Sequence, residues 1–133
     1  MEGVMALDNR FSQLSHRIKG YMSILQICIT FFEEDTRQCV SEKDLAYITK
    51  IQDALTKLDT LITGIMDSPN EALTSDRLAK CRHDARLSVD IIQGYSDIIV
   101  ENCQASHQLE VAGHFSVMMV VAGHLLHNTD LLK

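Results

Sequence analysis

The sequence predicts an all-α protein in which four helices pack as an up-down bundle. The chain of 133 residues has one proline and only 5% aromatic residues, a composition that favours helices over sheets. Hydrophobic residues make up 46% of the chain and charged residues 23%, which supplies enough apolar surface for one globular domain. Apolar residues recur in steps of three and four along four successive segments, the spacing of amphipathic helices.

The first two segments predict an antiparallel helical hairpin. One apolar series runs over residues 4–32 and indicates a helix with a single buried face. The polar stretch "EEDTRQCVSEKD" follows it, and a second series occupies residues 45–65. Ser41, with Asp44 three residues later, is expected to cap the second helix, because a serine oxygen accepts the free N–H groups of a first helical turn.

The last two segments predict a second hairpin of the same kind. We expect the third helix to start at "DSPNE", where Ser68 is the N-cap, Pro69 takes the first helical position and Glu71 completes a capping box. Its apolar series spans residues 78–99, and the helix is expected to end near "ENCQASHQ". The fourth series spans residues 111–132.

The two hairpins have the same length and the same apolar phase. A shift of 67 residues, the separation of His16 and His83, superposes their apolar series without a gap. We therefore expect one four-helix domain, residues 1–133, made of a first hairpin over residues 1–66 and a second over residues 68–133. The hairpins bury their apolar faces best against each other, within a monomer or a homodimer.

The net charge and the cysteines indicate which binding partners and which cellular compartment to expect. The net charge of -6 argues against nucleic-acid binding, which usually needs a basic surface. The four cysteines form no C-x-x-C pair and the N-terminus shows no signal segment, so we expect reduced thiols in a cytoplasmic protein. No membrane association is expected, since the most apolar run, residues 115–126, is shorter than a bilayer-spanning helix.

An exposed histidine in a basic patch is the main candidate for chemistry. On helix three His83 is about 200° from the apolar position Cys81, so the imidazole should point outward. Arg82, Arg86 and Lys80 surround it, and Asp84 follows it directly. Phosphoryl transfer needs a nucleophile and cationic groups around the phosphate oxygens, and these residue types supply both. A solvated histidine on a charged helix face is the alternative that spacing alone leaves open.

Three segments resemble the dimerisation and phosphotransfer hairpin of sensor histidine kinases. "HDARLSVDIIQGYSDII" looks like the phosphoacceptor box, with His83, the acid Asp84 and the basic Arg86 in order. "YITKIQDALTKLDTLITGIMD" is similar to the second helix of that hairpin. "FSQLSHRIKGYMSIL" resembles a second box, with His16 and Lys19 in matching places.

The resemblance implies a role for each of these residues. His83 would be the nucleophile that accepts the phosphoryl group, Asp84 would orient its ring, and His16 would be a second acceptor. The residues that would meet the phosphate or the partner are Arg82, Arg86, Lys80 and Lys19.

The resemblance also implies a phosphorelay partner. Two kinase chains normally contribute one hairpin each, so this chain would be a covalent pseudo-dimer. It has no glycine-rich nucleotide-binding segment, and we therefore expect no ATP-dependent autokinase activity. Instead, it would exchange a phosphoryl group with the aspartate of a response regulator receiver domain, whose own Mg²⁺ would be the only metal and cofactor. Leu87 replaces the polar residue of members that dephosphorylate their partner.

Two further interpretations remain open. In the first, the chain is a non-catalytic mimic of the kinase hairpin that binds a response regulator or a histidine kinase and modulates signalling. In the second, it is a structural bundle. A metal site is not expected, because His124 and His127 have a suitable spacing but no third ligand is evident.

Overall fold

A computed structural model describes residues 2–31, 41–68 and 73–132, and side chains of the first helix from residue 11 to residue 30. The helices are α1 (Glu2–Phe31), α2 (Glu42–Met66), α3 (Ser75–Ala105) and α4 (Leu109–Asp130). These ranges contain no strand. α3 packs against α4 and α2, α1 packs mainly against α4, and the contact of α1 with α2 is the smallest of these four. The predicted all-α four-helix bundle is confirmed.

The start of α2 follows the prediction and adds a buried polar pair. The Ser41 side chain accepts a hydrogen bond from the Asp44 N–H at 3.1 Å, which makes it the N-cap. The Asp44 carboxylate is 4% exposed and accepts a hydrogen bond from the Asn102 side-chain amide at 2.9 Å. This bond joins the start of α2 to the end of α3. Leu45, the predicted core residue at this level, is only half-buried.

The predicted start of the third helix was wrong by one and a half to two turns. Ser68 belongs to the end of α2, where its hydroxyl donates to the Gly64 carbonyl oxygen at 2.6 Å. The N-cap of α3 is Thr74, whose side chain accepts from the Arg77 N–H at 3.2 Å. Thr74 offers the same capping oxygen as a serine and is followed by an acid in the first turn, which complements the helix dipole. The rest of the predicted capping box, Pro69 and Glu71, lies outside the described residues.

The turn between α3 and α4 explains why the chain reverses at "ENCQASHQ". His107 has a φ of 61°, in the left-handed region. Its N–H donates to the Gln104 carbonyl at 3.2 Å, and the Gln108 N–H donates to the Cys103 carbonyl at 2.7 Å. These two bonds form a Schellman turn, which satisfies carbonyls that the end of α3 would otherwise leave without partners.

Burial repeats along the chain in step with the sequence repeat. Every buried residue of the described parts of α1 and α2 falls on a buried residue of α3 or α4, or on the buried Leu132 just after α4, after a shift of 67 positions. Three pairs in which both members are fully buried are Ile18 and Ala85, Leu25 and Ile92, and Leu58 and Leu125. The halves therefore share the phase of their apolar faces, although few of the paired residues are identical.

One core position departs from this apolar pattern. Ser96 is fully buried on α3, and its hydroxyl has no hydrogen-bond partner among the residues that the structure describes. The equivalent residue of the first half is the buried Ile29. A buried hydroxyl without a partner loses its hydration and gains nothing in return.

We expect Ser96→Ala to raise the free energy of unfolding by about 1 kcal/mol, because it removes the hydroxyl with little change of volume. Urea denaturation followed by circular dichroism measures this. Ser23→Ala is the matched control, since Ser23 is exposed and its hydroxyl donates to the Lys19 carbonyl at 3.1 Å. That control should stay within about 0.5 kcal/mol of the wild type. A destabilised Ser96→Ala would mean that the hydroxyl is satisfied in solution.

Candidate functional site

His83 lies exposed on the outer surface of α3. Successive residues of a helix point about 100° apart, so the residues on either side of it turn towards different neighbouring helices. Arg82 turns towards α4, where its guanidinium donates to the Leu132 carbonyl oxygen. Asp84 turns towards α2 and lines a groove with Thr60 and other residues of that helix. The imidazole therefore stands between two sets of polar side chains.

The two arginines beside His83 are engaged at the C-terminal end of α4. Arg82 is half-buried and binds the Leu132 carbonyl. Arg86 forms an ion pair with Asp130, with 2.8 Å between Nη2 and Oδ2, and both side chains remain partly exposed. Free carbonyls and the negative end of the dipole make a helix C-terminus a favourable place for cations. The phosphate-binding role predicted for Arg86 would thus require it to exchange Asp130 for the phosphate.

A third arginine of α3 makes the same type of contact with α2. The Arg77 guanidinium donates to the Gly64 carbonyl oxygen at 3.2 Å, near the end of that helix. The first half of α3 lies beside the C-terminal ends of both neighbours, since the bundle is antiparallel. Much of the basic patch that the sequence shows is therefore used for helix capping between elements. The predicted up-down topology could have indicated this capping role, because it places the start of α3 beside the C-terminal ends of α2 and α4.

We expect Arg82→Ala to lower the free energy of unfolding by about 1–2 kcal/mol, because it removes a charged hydrogen bond at the end of α4. Lys80→Ala is the matched control one turn away. Lys80 is exposed and has no ion pair or hydrogen bond within the described residues, so its removal should change stability by less than about 0.5 kcal/mol. Equal effects of the two variants in urea denaturation would contradict the capping role of Arg82.

Asp84, which was predicted to orient the imidazole, turns towards α2. It is half-buried on the α2 side, in a groove shared with Lys80 and Cys81. Within the described residues Asp84 makes no hydrogen bond to His83. Lys80 lies three residues before His83, and within the described part of the chain it is the nearest cation in helical position that makes no ion pair or hydrogen bond. The orienting role of Asp84 remains a prediction.

Cys81 lies near the site, and it and the other described cysteines are poor nucleophiles. Burial raises the pKa of the Cys81 thiol, and the nearby Asp84 carboxylate raises it further. Burial also raises the pKa of Cys28 and Cys103. All three are free thiols, and they stay protonated at neutral pH because the thiolate is disfavoured in these surroundings.

The second predicted box lies on a different part of the surface. His16 is exposed on α1, with exposed Arg17 and Lys19 nearby. α1 packs against α4 and α2, and it is not among the helices that pack extensively on α3. The fold therefore does not gather His16 and Lys19 with His83 into one site. It presents two separate surfaces at equivalent positions of the two halves.

An exposed apolar stripe beside His83 was missed by the sequence analysis. Leu87, Ile91 and Ile98 follow the histidine along the outer side of α3, and Leu87 is 51% exposed. The first two lie four and eight residues after His83, so one and two helical turns along the same side. Exposed large apolar residues in a row are typical of protein-binding surfaces. The four-residue spacing from the histidine was the signal in the sequence.

Two histidines of α4, His124 and His127, have a spacing suited to a metal. The His124 ring stacks on Tyr21 of α1, with ring centroids 5.8 Å apart. His127 is exposed on the same helix. Among the described residues no group of three or more potential metal ligands comes together.

No protein-family model, curated protein or solved structure matches this chain. The likeness to histidine kinase hairpins therefore rests on the sequence segments themselves.

Proposed function

We propose that this protein is a histidine-containing phosphotransfer protein of a two-component phosphorelay, which exchanges a phosphoryl group with the aspartate of a receiver domain. One observation carries the proposal. His83 is exposed at the head of an apolar stripe, Leu87, Ile91 and Ile98, so a reactive side chain adjoins a surface suited to a protein partner.

The chemistry follows from an exposed imidazole. In the neutral ring one nitrogen carries a lone pair, which attacks the phosphorus of the receiver's aspartyl phosphate. A nitrogen–phosphorus bond forms, the bond from phosphorus to the carboxylate oxygen breaks, and the aspartate leaves as a carboxylate. The proton on the other ring nitrogen stays in place. The reverse reaction returns the phosphoryl group to the receiver.

Charge around the transferred group would come from both proteins. A Mg²⁺ ion held by the receiver would bind the phosphoryl oxygens. On this chain, Lys80 is the cation best placed to approach them, because Arg82 and Arg86 are engaged on α4. Arg86 is sufficiently exposed to exchange Asp130 for an incoming phosphate or for an acidic residue of the partner.

A second candidate function is a non-catalytic mimic of the kinase hairpin, which binds a response regulator or a histidine kinase and blocks or redirects phosphotransfer. A specific observation favours it. Asp84 lines a groove on the α2 side, and two of the three nearby cations, Arg82 and Arg86, are engaged at the end of α4, so these groups already have contacts other than the imidazole. Binding through the stripe would not need such assistance.

The experiment that separates the two functions uses the wild-type chain with a panel of ³²P-phosphorylated receiver domains. Phosphotransfer predicts label on this chain that is lost in acid and retained in base, which is the behaviour of phosphohistidine. The mimic predicts a stable complex with a receiver or a kinase and no label. If no receiver in the panel gives either label or a complex, the proposal is refuted, and the interpretation of the chain as a structural bundle remains.

A further inference from the structure

The outward surface of α4 is apolar to a degree that the bundle does not require. Val120 is 60% exposed, Leu109 is 66% exposed, and Val117 is nearly half exposed. Between Glu110 and Asp130 this helix contains no lysine, arginine, aspartate or glutamate. Exposed apolar surface without charges is unfavourable in water and marks a region that another molecule covers.

The repeat supplies an internal comparison for these positions. A shift of 67 residues places Val117 on Lys50 and Val120 on Asp53, which are exposed charged residues of α2. The same fold thus carries charges at the equivalent positions of its other half. The valines of α4 are therefore not needed for packing within the chain, and a contact with a further molecule explains them.

The apolar surface extends from α4 onto α1. Tyr21 of α1 stacks on His124 of α4, which fixes the relative level of these antiparallel helices. Ile24 lies one turn after Tyr21 and Val120 one turn before His124, so the two lie at the same level. Ile24 and Ile27 are both exposed. We call the surface formed by Ile24, Ile27, Val117 and Val120 the α1–α4 face.

We propose that a second copy of this chain binds to the α1–α4 face and forms a two-fold symmetric dimer. An interface centred on this face and extending along the outer sides of α1 and α4 would be about 33 Å long, the length of α4, and roughly 20 Å across two neighbouring helices. Its area is comparable to the roughly 800 Å² per partner of a stable interface. A two-fold axis brings the same patch of both copies together, so an apolar, uncharged patch is complementary to itself.

The charge distribution favours a second copy of the chain at this face, with the two α4 helices antiparallel. Each chain carries a net charge of -6, and the α1–α4 face is a surface where two copies meet without opposing their acidic residues. Glu110 lies at the start of α4, whereas Arg17, one turn before Tyr21, lies beside its C-terminal end. When α4 runs antiparallel to α4 of the second copy, Glu110 of each copy comes beside Arg17 of the other.

A lipid membrane is an alternative partner for the α1–α4 face, and the experiment must distinguish it from a second copy of the chain. Among the described helices, α4 is long and apolar enough to cross a membrane on length and composition, with a mean hydropathy of 1.5 over its most apolar window. It extends beyond residues 115–126, so its length does not exclude a span. One third of that window is buried against the other helices of the bundle, so burial does not separate a membrane from a second copy, and the experiment must do so.

Sedimentation equilibrium of the full chain tests the dimer. We expect the wild type to have a mass of about 30 kDa, twice the 15.0 kDa of one chain. Val120→Asp and Val117→Lys, which introduce the residues found at the equivalent positions of α2, should each raise the dimer dissociation constant about 100-fold or more, because each buries an unpaired charge near the axis. Leu87→Lys is the matched control on α3 and should leave the dimer intact.

Three results would overturn the proposal. The first is a wild-type mass of 15.0 kDa throughout the micromolar to submillimolar range. The second is a dimer that neither α4 variant weakens, as expected if the hairpins exchange between chains. The third is a monomer that sediments with phosphatidylcholine vesicles, which would assign the face to lipid. Far-UV circular dichroism of both variants checks that they fold. Each variant tests the α1–α4 face independently, so one folded variant is sufficient for the test.

Discussion

In His83→Gln, transfer of label from a phosphorylated receiver should fall by about 1000-fold or more, while the affinity for that receiver stays within about threefold of the wild type. Glutamine is polar and uncharged like the neutral imidazole, but its amide nitrogen is not a nucleophile. Because His83 is exposed, the substitution should leave the fold unchanged. The measurements are acid-labile label on the chain and receiver binding by calorimetry.

His16→Gln and His127→Gln are the matched controls for this experiment, since both histidines are exposed on helices of the same bundle. His127→Gln should behave like the wild type. His16→Gln should retain most of the label, because Arg17 stands where the second box should have an acid. Label that persists in His83→Gln would contradict the assignment of the site, and loss only in His16→Gln would transfer the site to α1.

Phe115→Ala should lower the free energy of unfolding by about 4 kcal/mol, the largest single effect that we expect on stability. Phe115 is fully buried on α4 and is the largest of the fully buried side chains that the structure describes. Its truncation removes apolar burial and leaves a cavity among packed helices. Since domains of this size are stable by about 5–15 kcal/mol, the variant should unfold at much lower urea concentration.

The repeat provides two comparisons for Phe115→Ala. Ile48 is the equivalent residue of the first hairpin and is 3% exposed, so Ile48→Ala should cost about 2–4 kcal/mol. Thr49 is its exposed neighbour, and Thr49→Ala should stay within about 0.5 kcal/mol of the wild type. A small effect of Ile48→Ala beside a large effect of Phe115→Ala would mean that the halves do not form one cooperative core.

The helices and their buried faces were predictable because burial follows the period of a helix. Residues spaced by three and four positions lie on one side of a helix. The apolar side, which carries Leu58 on α2 and Leu125 on α4, is buried because apolar surface is unfavourable in water. The N-cap Ser41 was equally readable, since its hydroxyl acts on backbone groups three residues away. Ser68 and Thr74 both offer a capping oxygen, and local sequence did not distinguish them; the structure has Thr74 as the N-cap.

The outward position of His83 was also a local property, fixed by its angle from Cys81 on the same helix. The partners of its neighbours were not local. Arg86 bonds to Asp130 and Arg82 to the Leu132 carbonyl, across separations of 44 and 50 residues. Periodicity within one helix carries no information about which side chain of another helix lies opposite.

The sequence by itself therefore determined the number of helices, their apolar faces, the repeat and the exposure of His83, because each depends on residues within a few turns of one another. Only the tertiary structure decided the uses of the exposed groups. The α3 arginines became links to helix ends because antiparallel packing places them beside free carbonyls. The valines of α4 became one continuous surface with the isoleucines of α1 because those helices are neighbours in the bundle.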